Sequence, residues 1–116
     1  MPRGPAPQWR ARLQPLLDEH IAASMATPMN PETGFYGELV YTGCKDEDRA
    51  YEIKRALYRA AHRANVSLVY KIEKNGSEYQ VRFTAINKSH GRRHLIATYG
   101  SDRNAWPYDP RKRDAA

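Results

Sequence analysis

Residues 46–85 read DEDRAYEIKRALYRAAHRANVSLVYKIEKNGSEYQVRFTA, and within this stretch the spacing of apolar residues changes from a helical to a strand period. Over Asp46 to Ala64, steps of about 100° per residue place Ala50, Ile53, Leu57, Ala60, Ala61 and Ala64 on one stripe. Such a narrow, alanine-lined face can lie close on a sheet. Asp46, Glu47 and Asp48 open the segment and Arg59 and Arg63 close it, the charge order that complements a helix dipole. From Val66 the pattern alternates: Val66, Leu68, Tyr70 and Ile72 against Ser67, Val69, Lys71 and Glu73. After Lys74-Asn75-Gly76-Ser77 a second alternation follows in Tyr79, Val81, Phe83 and Ala85, so the two runs predict a hairpin around Asn-Gly.

Working outward, Phe35 to Thr42 is aromatic and branched and lies between Gly34 and Gly43, which predicts a strand before the central helix. Upstream, Trp9, Leu13, Leu16, Leu17, Ile21 and His20 recur at helical spacing, predicting a helix that ends near Ser24. Pro15 interrupts it, so the helix either starts near Gln14 with Pro15 in its first turn or kinks there. Pro28 and Asn30-Pro31 mark residues 26–34 as a loop. Downstream, Ser89 to Arg92 reads as a turn and Arg93 to Tyr99 as a further strand. The expected fold is therefore α+β: an N-terminal helix, then β-α-β-β-β, with a mixed or antiparallel sheet packed on the central helix. Residues 1–7 read as an arm, 8–100 as one domain and 101–116 as an extended basic tail.

Composition agrees with one folded domain. The chain has 116 residues, 41% hydrophobic and 28% charged, with eight Tyr, two Trp and two Phe, where a disordered chain would be poor in aromatics. No run approaches the roughly 20 apolar residues of a membrane span and the first residues lack the apolar core of a secretory signal, so the expectation is a cytoplasmic protein with no membrane partner. Cys44 is the single cysteine, which precludes an intramolecular disulfide, and it reads as a small residue at a strand end. No metal or cofactor pattern is read.

Net charge is +6, and 13 of the 19 cations are arginine, whose fork matches phosphates and carboxylates better than the lysine point charge. High-GC coding bias also raises arginine, so placement must decide. Residues 53–72 hold Lys54, Arg55, Arg59, Arg63 and Lys71 with no acid, and residues 79–101 hold Arg82, Lys88, Arg92 and Arg93 with none. A surface made only for solubility would intersperse the signs. The acid-free runs point to phosphate contact, with duplex DNA ahead of RNA, at Lys71, Arg82, Lys88, Arg92, Arg93, Arg55, Arg59 and Arg63.

These residues divide between two surfaces. Arg55, Arg59, His62 and Arg63 fall on the outer stripe of the central helix, flanked by Tyr51 and Tyr58. Lys71, Arg82 and Lys88 share the sheet parity opposite to Leu68 and Phe83, beside a basic turn at Ser89 to Arg93. Val69, Ile86 and Ile96 on that second face suggest cover by the N-terminal helix. The competing expectation is a protein-interaction module docking on an acidic protein through Tyr51, Tyr58, Arg55 and Arg59, since Tyr and Arg are enriched in interface anchors.

Enzyme readings are weaker. Gly34-Phe35-Tyr36 and Tyr41-Thr42-Gly43, followed by a helix bearing Arg49, resemble the two motifs of the GIY-YIG nucleases. Only four residues separate the triplets, too few for the intervening turn of a strand pair, and no metal-binding Glu can be assigned. Glu52-Ile53-Lys54 matches an E-x-K pattern but falls on the central helix rather than a strand. His90 and His94 flank the basic turn without a carboxylate neighbour, and separate faces are expected for them.

Overall fold

The computed structural model describes residues 8–101, with side chains from residue 12 onward. The order is α1 (Gln8–Ala26), β1 (Phe35–Cys44), α2 (Glu47–Arg63), β2 (Ser67–Asn75), β3 (Glu78–Ile86) and α3 (His90–Tyr99). The class is α+β, with three helices around a three-stranded antiparallel sheet of order β1-β3-β2. Both β1 and β2 pair antiparallel with β3, so they run in one direction on either side of it, and α2 crosses over between them. The predicted arm, and the predicted tail beyond Ser101, lie outside the described residues.

The α2 helix forms where its stripe predicts. Asp46 caps it, its carboxylate accepting from Arg49 N at 2.8 Å, and Glu47 and Asp48 follow in the first turn. Its buried residues are Ala50, Ile53, Ala56, Leu57, Ala60 and Ala61. Ala56 lies off the predicted stripe and is buried because α1 runs alongside, with Gln14 Nε2 donating to the Ala56 carbonyl at 3.0 Å. Ala64 caps the C-terminus and is exposed.

Helix α1 passes through Pro15 without starting there. The proline removes one i→i−4 bond, and the burial of Leu13, Leu17 and Ile21 compensates. These residues join Ile53, Leu57, Leu68, Val81 and Phe83 in the main core. Thus α1 and α2 share one face of the sheet. The expected cover of the second face by α1 is not what forms.

A third helix occupies that place instead. Residues 93–99, expected as a fourth strand, belong to α3, whose Leu95 is buried with Phe35, Val69 and Ile86, and Tyr99 packs against them. The Asn87 carboxamide oxygen accepts from Ser89 N at 3.0 Å and His90 N at 2.8 Å, and its backbone carbonyl accepts from Gly91 N at 3.0 Å, which satisfies the first two amides of the helix. Gly100, with φ 95°, ends it. The docking is close enough that a Cβ on Gly34 would sit 2.5 Å from the Gly91 nitrogen.

The two edge strands differ. β2 pairs with β3 in unbroken register from Ser67↔Ile86 to Asn75↔Glu78, through a two-residue loop at Gly76-Ser77 whose glycine has φ 66°. β1 shifts register twice, between Phe35 and Glu38 and between Tyr41 and Cys44. At the first irregularity the buried Ser24 hydroxyl of α1 donates to the Gly37 carbonyl at 2.5 Å and accepts from Ala85 N at 3.1 Å. One hydroxyl therefore satisfies two buried backbone groups and fixes α1 to the sheet.

Candidate nucleic-acid interface

The outer sheet face, opposite α1 and α2, is only partly covered by α3. The end nearest α3 carries Val69, which packs with Leu95, and buried Thr84 beside Glu38; the rows beyond carry Lys71, Arg82 and Val40, then Glu73 and Gln80. Arg82 stands in the middle. Its Nε lies 3.0 Å from Glu73 Oε1 and its Nη1 3.1 Å from Glu38 Oε1, so a carboxylate from each flanking strand closes on it. Partial burial disfavours the Arg82 charge, but the hydrogen bond and charge of Glu73, with Glu38, outweigh it and raise its pKa. Glu73 is held below its ordinary value, first by the hydrogen bond from Gln80 and further by Arg82. The acid-free run around Arg82 in sequence thus becomes an acid-neutralised position in the sheet.

The α3 cations are arranged differently. Arg92 and Arg93 are exposed in its first turn, and the helix contains no Asp or Glu. Among the described residues neither arginine forms an ion pair, and Lys88 just upstream reaches only the neutral Asn65 Oδ1, at 3.2 Å. Cations at a helix N-terminus add to the positive end of its dipole and disfavour the helix by about 0.3–1 kcal/mol each at an exposed site. Arg92 and Arg93 are thus carried by the helix that packs on the same face of the sheet as exposed Lys71, whereas Lys88 reaches Asn65 at the end of α2. His90 and His94 lie one turn apart on α3 and share a face, contrary to the expectation, and His94 sets its ring edge-on to Phe35 with centroids 5.5 Å apart.

Arg55, Arg59 and Arg63 lie on the opposite layer, along the solvent side of α2. Arg59 Nε donates to Gln14 Oε1 at 2.8 Å, and Arg63 pairs with Asp18. Desolvation works to raise the Asp18 pKa, but the hydrogen bonds from Arg63 and Gln14 and the charge of Arg63 together outweigh it and lower it. Of the three, only Arg55 makes no polar contact of this kind among the described residues. The neutralising pair was legible in principle: Gln14 and Asp18 are four apart on α1, as Arg59 and Arg63 are on α2, so two helices side by side bring them into register.

The aromatic flank of α2 is also partly occupied. Tyr51 is 39% exposed, whereas Tyr58 is half-buried and meets Tyr70 of β2 edge-on, with centroids 5.8 Å apart. Between them Lys54 extends its ammonium to 5.7, 5.5 and 5.4 Å from the ring centres of Tyr51, Tyr58 and Tyr70. Burial, and next the charge of Arg55, push the Lys54 pKa down. Sequence reading gave Lys54 no special role, because its third ring comes from another element.

The triplets Gly34-Phe35-Tyr36 and Tyr41-Thr42-Gly43 fall at the start and within the length of the single strand β1 rather than on two strands of a hairpin. Glu52 and Lys54 are on α2. Cys44 is buried, and desolvation raises its pKa, which keeps the thiol protonated. Among the described residues no helix is long and apolar enough to cross a membrane, and no three His, Cys, Asp or Glu side chains group as metal ligands would. The chain matches no protein-family model, and comparisons with curated proteins and with solved structures give no significant match.

Proposed function

We propose that the protein binds nucleic acid, duplex DNA ahead of RNA, mainly by phosphate contact through α3 and the neighbouring open part of the sheet. The observation that carries this reading is the placement of Arg92 and Arg93. They are exposed in the first turn of α3, where their charge opposes helix stability, and no carboxylate among the described residues neutralises them. Cations that cost the fold and are left unpaired suit a polyanionic ligand, which gains from both the guanidinium forks and the dipole. Lys71 adds an exposed cation on the sheet face that α3 covers in part, and Lys88 adds one in the segment just before α3. Arg82 belongs to the fold in this reading, its charge already taken by Glu38 and Glu73.

The open sheet face supplies no exposed aromatic row, because Tyr36, Tyr41, Tyr70 and Tyr79 pack into the main core. That favours backbone contact over stacking on splayed bases. Binding of a short duplex and of the matching single strand, measured over a salt series, tests the proposal. Affinity should rise steeply as salt falls, with duplex preferred. No detectable binding at low salt would remove the reading.

The alternative is a protein-interaction module on the α2 side, favoured by exposed Tyr51 beside exposed Arg55. Tyr58 and Arg59, the other two residues of that reading, already have partners within the chain. Recovery of one stoichiometric acidic protein after nuclease treatment, abolished by Tyr51→Ala, would favour this alternative.

A further inference from the structure

We propose that β2 is the seam of a symmetric homodimer, in which two copies pair antiparallel through β2, centred on Ile72, and extend the sheet across the two-fold axis. The observation behind it is a contrast between the edges. β1 is interrupted by two register shifts, one containing Gly43 at φ 83°, and bulges of this kind protect an edge from pairing. β2 has nine residues in unbroken register with β3, and among the described residues nothing pairs with its outer edge.

The side chains of β2 decide between a second copy and any other strand. Lys71 and Glu73 stand on the same, outer face, two residues apart around Ile72. In an antiparallel pair, residues directly opposite share a face, so a two-fold axis at Ile72 sets Lys71 of each copy against Glu73 of the other. Centring the axis on Lys71 or on Glu73 instead would oppose like charges directly. Only the Ile72 register makes the outer face self-complementary. On the inner face the same register sets Ile72 against its own copy and Tyr70 against Lys74, beside the Tyr51, Tyr58 and Lys54 group that overhangs β2 from α2. The axis is perpendicular to the sheet, so both copies carry α3 on one side. Assembly thus stands apart from the nucleic-acid reading, while doubling the α3 cations on a single face if that reading holds.

The test is sedimentation or native mass spectrometry over a dilution series of the full chain to sub-millimolar concentration, without nucleic acid. The wild type should be a dimer at the upper end. Lys71→Glu changes an exposed side chain and places Glu against Glu73 of the other copy twice, so dimerisation should weaken by about tenfold or more, since each cross-strand pair is worth about 0.2–1 kcal/mol. Mixing Lys71→Glu with Glu73→Lys should restore dimers that contain one chain of each, because both cross-strand pairs are then of opposite charge. If Glu73→Lys loses its fold through the broken Arg82 ion pair, the Lys71→Glu result decides alone. A wild type that stays monomeric throughout, or a dimer indifferent to Lys71→Glu, would overturn the proposal, whichever way nucleic-acid binding turns out.

Discussion

Arg82 Nε lies 3.0 Å from Glu73 Oε1 across the β2–β3 ladder. Glu38 approaches the same guanidinium from β1, so one cation ties all three strands on the outer face. With 27% of its side chain accessible, Arg82 is in a geometry where its removal strands two carboxylates close together. Arg82→Gln should therefore cost about 1–3 kcal/mol of stability in urea unfolding. Its effect on duplex binding should stay below that of reversing Arg92 or Arg93. A variant with unchanged stability and strongly reduced binding would show that Arg82 contacts the ligand.

Acid should act through the same cluster. The Glu73 pKa is lowered in the folded chain, by Gln80 and then Arg82, and that of Asp18 is lowered through Arg63 and Gln14. A depressed carboxylate pKa contributes stability that is complete above the unfolded value and is lost as pH falls through the folded one. Stability measured by urea unfolding should fall as pH drops below the ordinary carboxylate range. The decline should be shallower in Glu73→Gln, which starts less stable at neutral pH. An unchanged slope would mean that Glu73 titrates alike in both states.

Docking of α3 depends on two glycines. A Cβ at position 34 would meet the Gly91 nitrogen at 2.5 Å and would sit on backbone with φ 77°. Gly34→Ala should destabilise the domain by about 2 kcal/mol or more, adding the clash to the roughly 1–2 kcal/mol of a left-handed L-residue. Hydrogen exchange should show α3 amides losing protection before those of α2.

Ser24 anchors the other layer. Its hydroxyl serves both the Gly37 carbonyl and the Ala85 amide, and it is fully buried. Ser24→Ala leaves an acceptor and a donor without that partner, at an expected cost of about 1–3 kcal/mol in thermal or urea melts. Ser24→Cys, which keeps a weak donor, should fall between the two.

Legibility followed how local each signal was. The α2 stripe and the two alternating runs of the hairpin are periodic over many residues, and both form within a residue or two of expectation. The α3 error has a specific cause. Leu95 and Tyr99 are four apart, a spacing that satisfies a strand face and a helix face equally, and the intervening Ile96 and Thr98 are β-branched. The deciding signals were the Asn87 carboxamide, which accepts from the first amide of the helix at His90, and Gly100, which ends it. Among the candidate site residues, parity correctly put Lys71 and Arg82 on the face away from α2. The closing of Glu38 on Arg82 was not legible, because it depends on β1 lying next to β3, and the matching of Gln14 and Asp18 with Arg59 and Arg63 could be read only once α1 is known to lie beside α2.

If α3, rather than α2, meets the phosphates, the arginines of the two helices should differ in their effect on duplex binding. Duplex affinity and its salt slope should be compared for the wild type, the double reversal Arg92→Glu/Arg93→Glu, and the double reversal Arg55→Glu/Arg59→Glu, with folding checked for each. Reversal on α3 should abolish most of the affinity and reduce the salt slope by roughly 0.9 for each phosphate that the protein no longer neutralises. Reversal on α2 should have a smaller effect on affinity. Equal losses from both variants, or a larger loss from the α2 pair, would contradict phosphate contact through α3.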